Sequence, residues 1–151
     1  MGCIIPPSLS VDVQDAGVDS PPSIYKVTSD MQELVEPGPV TFATAPNAQD
    51  QTVTLTLLDT DVDDALYARV YFDYTLQNPT APRSICPTAA SNGTAYRTTT
   101  CSLANLCLQS DAQITHLVEI VVFDREPIDT SKTIPAGGQS TTRTYQVNCV
   151  N

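Results

Sequence analysis

Four aspartates crowd six residues of this chain, Asp59-Thr60-Asp61-Val62-Asp63-Asp64. Carboxylates two apart in a turn can converge on one centre, and oxygen-only ligands are the chemistry of Ca²⁺. The spacing departs from a helix–loop–helix calcium loop. Its sixth position, where such loops need Gly, is Asp64, and its twelfth, where they need Glu, is Val70. Asp also favours turns because its carboxylate accepts backbone N–H bonds. Turn formation is therefore the first expectation. The second is a calcium site built from Asp59, Asp61, Asp63, Asp64, Asp124 and Glu126, with Asp129 nearby. No other cofactor is implied.

His116, the only histidine, lies in a strand-like stretch with no nucleophile motif beside it. There is no G-x-S-x-G, no H-E-x-x-H and no Gly-rich phosphate loop. A structural histidine and a non-enzymatic protein are expected. Cys101 and Cys107 are separated by five residues with no second ligand pair, which argues for disulfides over zinc. Arg69, among Tyr67, Tyr71 and Asp73, reads as packed surface rather than a ligand row.

The elements that hold these residues are strands. Hydrophobic content is 41%, charged content 16%, and Thr, Val and Pro are frequent, a β-protein composition. A chain of 151 residues is one domain, long enough to bury a core. The net charge of −10, with only 7 basic residues, repels phosphate and excludes nucleic acid as a partner. Five cysteines in so small a domain point to an oxidising compartment.

The odd cysteine sits at the start. Met1-Gly2-Cys3 followed by a Pro/Ser/Asp-rich stretch resembles the mature end of a bacterial lipoprotein. In that family a Gly-Cys junction ends the signal peptide and the cysteine is acylated. The resemblance implies lipidation at Cys3 and membrane attachment, and Ile4 rather than Asp after it implies the outer membrane or cell surface. The rivals are a myristoylated Gly2, whose pattern wants Ser or Thr where Pro6 stands, and an unmodified cysteine. Lipidation is favoured because it accounts for the odd count. Residues 1–23, with two Pro-Pro pairs, read as a lipidated terminus and flexible tether.

Residues 24–151 read as the folded body. Leu66 to Tyr74 alternates Leu66, Ala68, Val70, Phe72 and Tyr74 against Tyr67, Arg69, Tyr71 and Asp73. Thr52 to Leu58 and Thr142 to Cys149 alternate as cleanly. Ile114 to Phe123, apolar on both sides, reads as a central, doubly covered strand. Val40 to Thr44, Tyr96 to Cys101 and Ile24 to Thr28 complete about seven strands. Residues 29–35 are left between a short helix and an irregular edge. The expected fold is an all-β, antiparallel immunoglobulin/fibronectin-III-like β-sandwich. The patterns D-x-D-x-D-D-x-L-Y-x-R-V-x-F-D-Y over Asp59–Tyr74 and H-L-V-E-I-V-V-x-D-R-E over His116–Glu126 resemble immunoglobulin-like modules of lipid-anchored surface proteins of myxobacteria-like bacteria. That resemblance implies fold and address but no chemistry.

Pairing 66–76 with 114–123 and 142–149 puts Cys86, Cys101, Cys107 and Cys149 at one pole, with Cys101–Cys107 and Cys86–Cys149 as the expected bridges. It puts the acidic turn at the other pole with the 124–141 loop, where Arg69 or Arg125 would neutralise it. The function expected is a lipid-anchored surface protein that presents the sandwich for binding or assembly, with a protein or glycan partner. The alternative is a calcium-dependent adhesion or carbohydrate-binding module using the acidic loops.

Overall fold

The computed structural model describes residues 19–29, 32–45, 47 and 51–151. Eight strands follow in chain order: β1 (Ser23–Ser29), β2 (Val40–Ala43), β3 (Thr52–Leu58), β4 (Tyr67–Phe72), β5 (Ser84–Ile85), β6 (Tyr96–Ser102), β7 (Thr115–Phe123) and β8 (Ser140–Val150). They form two sheets, β1-β3-β6 and β2-β8-β7-β4-β5. The small sheet is antiparallel, and so is the large one except at its β2 edge. This is the β-sandwich expected, with the strand order of an immunoglobulin-type fold.

The inner residues follow the alternation. Val53, Leu55 and Leu57 of β3 meet Ala68, Val70 and Phe72 of β4, Val118, Ile120 and Val122 of β7, and Tyr145 and Val147 of β8 in one core. Two features depart from the pattern. Tyr74 does not join the inner row. Asp73 takes a positive φ of 48°, which ends the alternation, and Tyr74 packs on the outer side against Tyr71 with ring centroids 5.3 Å apart. β2 runs parallel to β8, Val40 opposite Val147. The 32–39 segment crosses between sheets to allow this. The Gln146 N–H donates to the Pro37 carbonyl at 2.6 Å, and Gly38, with φ 100°, lies so close that a Cβ there would stand 2.8 Å from the Gln146 carbonyl oxygen. Only glycine fits that approach. Residues 32–35 are the irregular edge, with Glu33 bridged to Thr28.

β4 is covered on both faces. On its outer face the 124–139 segment folds back over the sheet instead of projecting as a loop. The Arg69 guanidinium, buried at 9% exposure, donates to the carbonyls of Asp129, Ser131 and Pro127. Tyr71 donates its hydroxyl to the Ser131 carbonyl at 2.7 Å. Lys132 pairs with Glu119 of β7 and stands 4.2 Å from the Tyr74 ring centroid. Tyr71, Val121 and Phe123 form a second apolar cluster under this segment, with Tyr67, Tyr74 and Ile134 at its margin. Arg69 is thus the clasp of this cover rather than a partner of the acidic turn.

Removing the clasp strands the buried Pro127 carbonyl and the part-buried carbonyls of Asp129 and Ser131. Arg69→Ala is expected to cost about 2–4 kcal/mol, and Arg69→Lys to recover only part of it, because an ammonium cannot fan across three carbonyls. Urea midpoints check this; a midpoint unchanged in Arg69→Ala contradicts the clasp.

Candidate functional site

The turn after β3 and the end of β7 do meet at one pole. Leu58 pairs with Tyr96, Tyr67 with Phe123, and Phe123 with Ser140, so the 59–66 turn and the 124–139 segment start side by side. The aspartates there have separate tasks. Asp59 is buried, and its Oδ1 accepts the Asp61 N–H at 2.9 Å. Asp61 accepts the Ser20 N–H through Oδ2 at 2.8 Å. The turn carbonyls of Asp61 and Asp64 both accept from Arg97 of β6. Asp124 is buried and accepts the Gln139 N–H at 2.8 Å. Turn formation therefore accounts for most of the cluster, and Arg97 does the bracing that Arg69 was expected to share.

An unforeseen sixth acid joins them. Asp19 packs at this pole, where its carbonyl accepts from the Gln139 side chain and its carboxylate lies 3.7 Å from Arg125. Asp19 and Ser20, within the stretch expected as tether, thus make contacts with the folded body. An open cleft is lined by Asp19, Asp61, Asp63, Asp64 and Arg125. Two expected members are elsewhere. Asp129 sits on the sheet face, its carbonyl bound by Arg69 and its carboxylate accepting the Ser131 N–H, and Glu126 is exposed with no contact to the turn among the described residues. Among the described residues no three such side chains converge as metal ligands.

All four body cysteines are paired, but not as expected. The bridges are Cys86–Cys101 and Cys107–Cys149. Cys101 follows Arg97 and Thr99 on the inward row of β6, whereas the turn that carries Cys107, closed by Leu106 N–H to Leu103 C=O, leads toward the end of β8. Cys86, hydrogen-bonded to Ala68 beside β4, is the partner within reach of Cys101. Only the second bridge lies at the expected pole; the first ties β6 to the β5 side of the large sheet. Closing sequence separations of 15 and 42, they stabilise by about 3 and about 4 kcal/mol in the chain-entropy description. Cys3 lies outside the described residues.

His116 is structural in its surroundings. Its Nδ1 meets Asp73 Oδ2 at 2.7 Å and its Nε2 the Asp111 carbonyl at 2.9 Å. Its ring packs on Phe72 at 4.5 Å between centroids, and Arg83 covers the same Phe72 ring while pairing with Asp111. No serine or cysteine side chain is among its contacts.

One further surface was not expected from the sequence. The outward residues of the small sheet are Lys26 and Thr28 on β1, Thr54, Thr56 and Leu58 on β3, and Tyr96, Thr98 and Thr100 on β6, in register. A bulge between Ile24 and Lys26 turns Tyr25 outward, where it meets Tyr96 edge-on at 5.6 Å. The signal was in plain sight as a Thr-x-Thr-x-Thr alternation, read only for its inner row.

No family model matches the chain, and no curated protein matches it. Among solved structures it is similar to the CooA pilin subunit from enterotoxigenic Escherichia coli, at 14% identity over 83% of this chain and 99% of that chain, with a TM-score of 0.37. A superposition this loose carries no argument about partners or activity.

The acidic pole makes stability depend on pH. Burial pushes the Asp59 carboxyl up; the Asp61 N–H and the Arg97 charge oppose this, while the Asp61 and Asp64 charges add to it. Burial likewise raises Asp124, against the Gln139 N–H and Arg125 and with the charges of Asp19 and Asp64. At Asp111 burial also raises the carboxyl, but the bonds from Arg83 and Leu108 and the Arg83 and His116 charges outweigh it and the net shift is downward. A raised folded value gives stability that is present at low pH and lost as pH rises through it; a lowered one gives stability lost as pH falls through it. Unfolding midpoints taken from about pH 7 to pH 3 should therefore rise on mild acidification, then fall below the ordinary carboxylate range as Asp111 protonates. Asp59→Asn with Asp124→Asn should flatten the rise; a rise unchanged in that variant contradicts the assignment.

Proposed function

We propose that this chain is a non-enzymatic, lipid-anchored surface module of a bacterial outer membrane, in which Cys3 carries the lipid and the sandwich binds a protein or glycan. The observation that carries this reading is the cysteine pairing. Four of the five cysteines close two bridges within the body, so the odd one is Cys3. Buried disulfides suit an extracytoplasmic address, and the charge of −10 disfavours nucleic acid. No helix among the described residues is long and apolar enough to cross a membrane. Acyl chains add about 0.8 kcal/mol of membrane affinity per buried methylene, so two or more chains hold the protein stably. Metabolic labelling with an alkyne palmitate analogue should mark the native protein and not Cys3→Ser, which should leave the membrane fraction. An unmarked native protein contradicts the anchor.

A second reading, a calcium-dependent adhesion module, is favoured by Asp19. Its carboxylate oxygens are buried without a hydrogen bond beside Asp61 and Asp64. Under it, millimolar Ca²⁺ removes the acid-induced rise described above, because the cation already neutralises the pole; a profile indifferent to Ca²⁺ retires it.

A further inference from the structure

The outer face of the small sheet has a chemistry unlike the rest of the molecule. The chain carries 17 acidic residues, yet this face has no carboxylate. Its one charge, Lys26, is answered by Glu33 at 3.2 Å. Nothing there recruits a phosphate, an acidic headgroup or a charged protein surface. It also has a single aliphatic side chain, Leu58, too little for the apolar centre of a protein–protein contact. What it offers is hydroxyls and rings.

The hydroxyls stand in rows fixed by strand register. Thr56 lies opposite Thr98, and Thr54 opposite Thr100. Thr54 and Thr100 share a hydrogen bond at 3.1 Å. Thr56 and Thr98 make none among the described residues, so each can both donate and accept toward a ligand. Next in line is the aromatic pair. Tyr25 and Tyr96, on the two edge strands, reach toward one another across β3, and they remain 59% and 54% exposed. Tyr25 is there because the β1 bulge supplies an extra residue; bulges commonly re-aim a side chain at a working surface. Neither phenol hydroxyl is hydrogen-bonded among the described residues.

Half-exposed rings beside uncommitted hydroxyls, on a flat face without net charge, complement a molecule that is itself uncharged, hydroxyl-rich and lined with C–H groups. We propose that this face binds a neutral glycan chain. Tyr25 and Tyr96 stack on sugar C–H faces, whose partial positive charge meets the negative face of an aromatic ring, and Thr56 and Thr98 hydrogen-bond sugar hydroxyls. At about 3.3 Å per residue and 4.8 Å between strands, the face is roughly 20 Å long and 10 Å wide, room for several sugar units. This proposal rests on the reading of the chain as a binding module and names its ligand class and site.

The test uses the purified full chain and neutral oligomers of glucose, mannose, galactose and N-acetylglucosamine, by calorimetry and by tyrosine emission, which no Trp obscures. At least one class should bind. Tyr96→Ala and Tyr25→Ala should each weaken it at least about tenfold, Thr98→Val should weaken it severalfold, and Tyr96→Phe, which keeps the ring, should retain most of it. Matched urea midpoints show that the variants fold. The proposal is overturned if no neutral oligomer binds at about 10 mM, if binding survives both alanine variants, or if Asp61→Asn abolishes it. In the last two cases the binding-module reading stands and only the face falls. A Tyr96→Ala change confined to self-association, seen by sedimentation, also overturns it and makes the occupant a second copy. Labelling of Cys3 is independent of every one of these outcomes.

Discussion

The guanidinium of Arg69 is the contact on which the arrangement of surfaces depends. A sandwich of two sheets ordinarily leaves both outer faces to water, and here the outer row of β4 is Tyr67, Arg69 and Tyr71, too apolar to be left fully wet. The 124–139 segment covers it, at the cost of bringing backbone carbonyls over a sheet where they are partly or wholly withdrawn from water. Arg69 donates to three of them and Tyr71 to one. A fork of fixed donors meets this need better than any other side chain. With that cover in place, Tyr71, Val121 and Phe123 become a second core, and β4 and the 120–123 half of β7 are buried on both sides.

The two ends and two faces of the molecule then differ in kind. At the acidic pole, backbone N–H groups and Arg97 hold the carboxylates of the turn in place, and the first described residue, Asp19, arrives there. The disulfides brace the body elsewhere, one on the β5–β6 side and one by the end of β8. The small sheet contributes Val53, Leu55 and Leu57 inward and threonines outward, so one period-two pattern builds both the core and the hydroxyl surface.

Much of this was legible in the residues. Alternation located β3, β4, β6, β7 and β8 within a residue or two, because a one-residue slip would invert every side chain. The double cover expected of β7 holds for residues 120–123, where the apolar run is unbroken, but not for its first half, where Leu117 stays 42% exposed. What was hidden depended on contacts distant in sequence. The parallel β2–β8 pairing needs the approach of Gly38 to Gln146, and no local pattern encodes it. The displacement of Tyr74 hangs on one backbone angle at Asp73. The expected cysteine pairing failed because sequence proximity favours Cys101–Cys107 among the three connectivities that four cysteines allow. The choice between them rests on the inward direction of Cys101 and the path of the 103–107 turn. The acidic turn was legible as a turn, and of the two expected neutralising arginines Arg125 does reach this pole while Arg69 does not; the brace on the turn carbonyls is Arg97, inward-facing on a strand that reads only as an edge.

The central claim is that one sheet face is clasped shut over β4 while the opposite face of the sandwich stands open, and the six tyrosines report on both. Partial nitration of the native protein followed by peptide mapping measures them together. The account predicts rapid modification of Tyr25 and Tyr96, and protection of Tyr71 and Tyr145, which are 0% and 1% exposed. Nitration of Tyr71 as fast as Tyr96 in the folded protein would mean the cover is not there, and would contradict it.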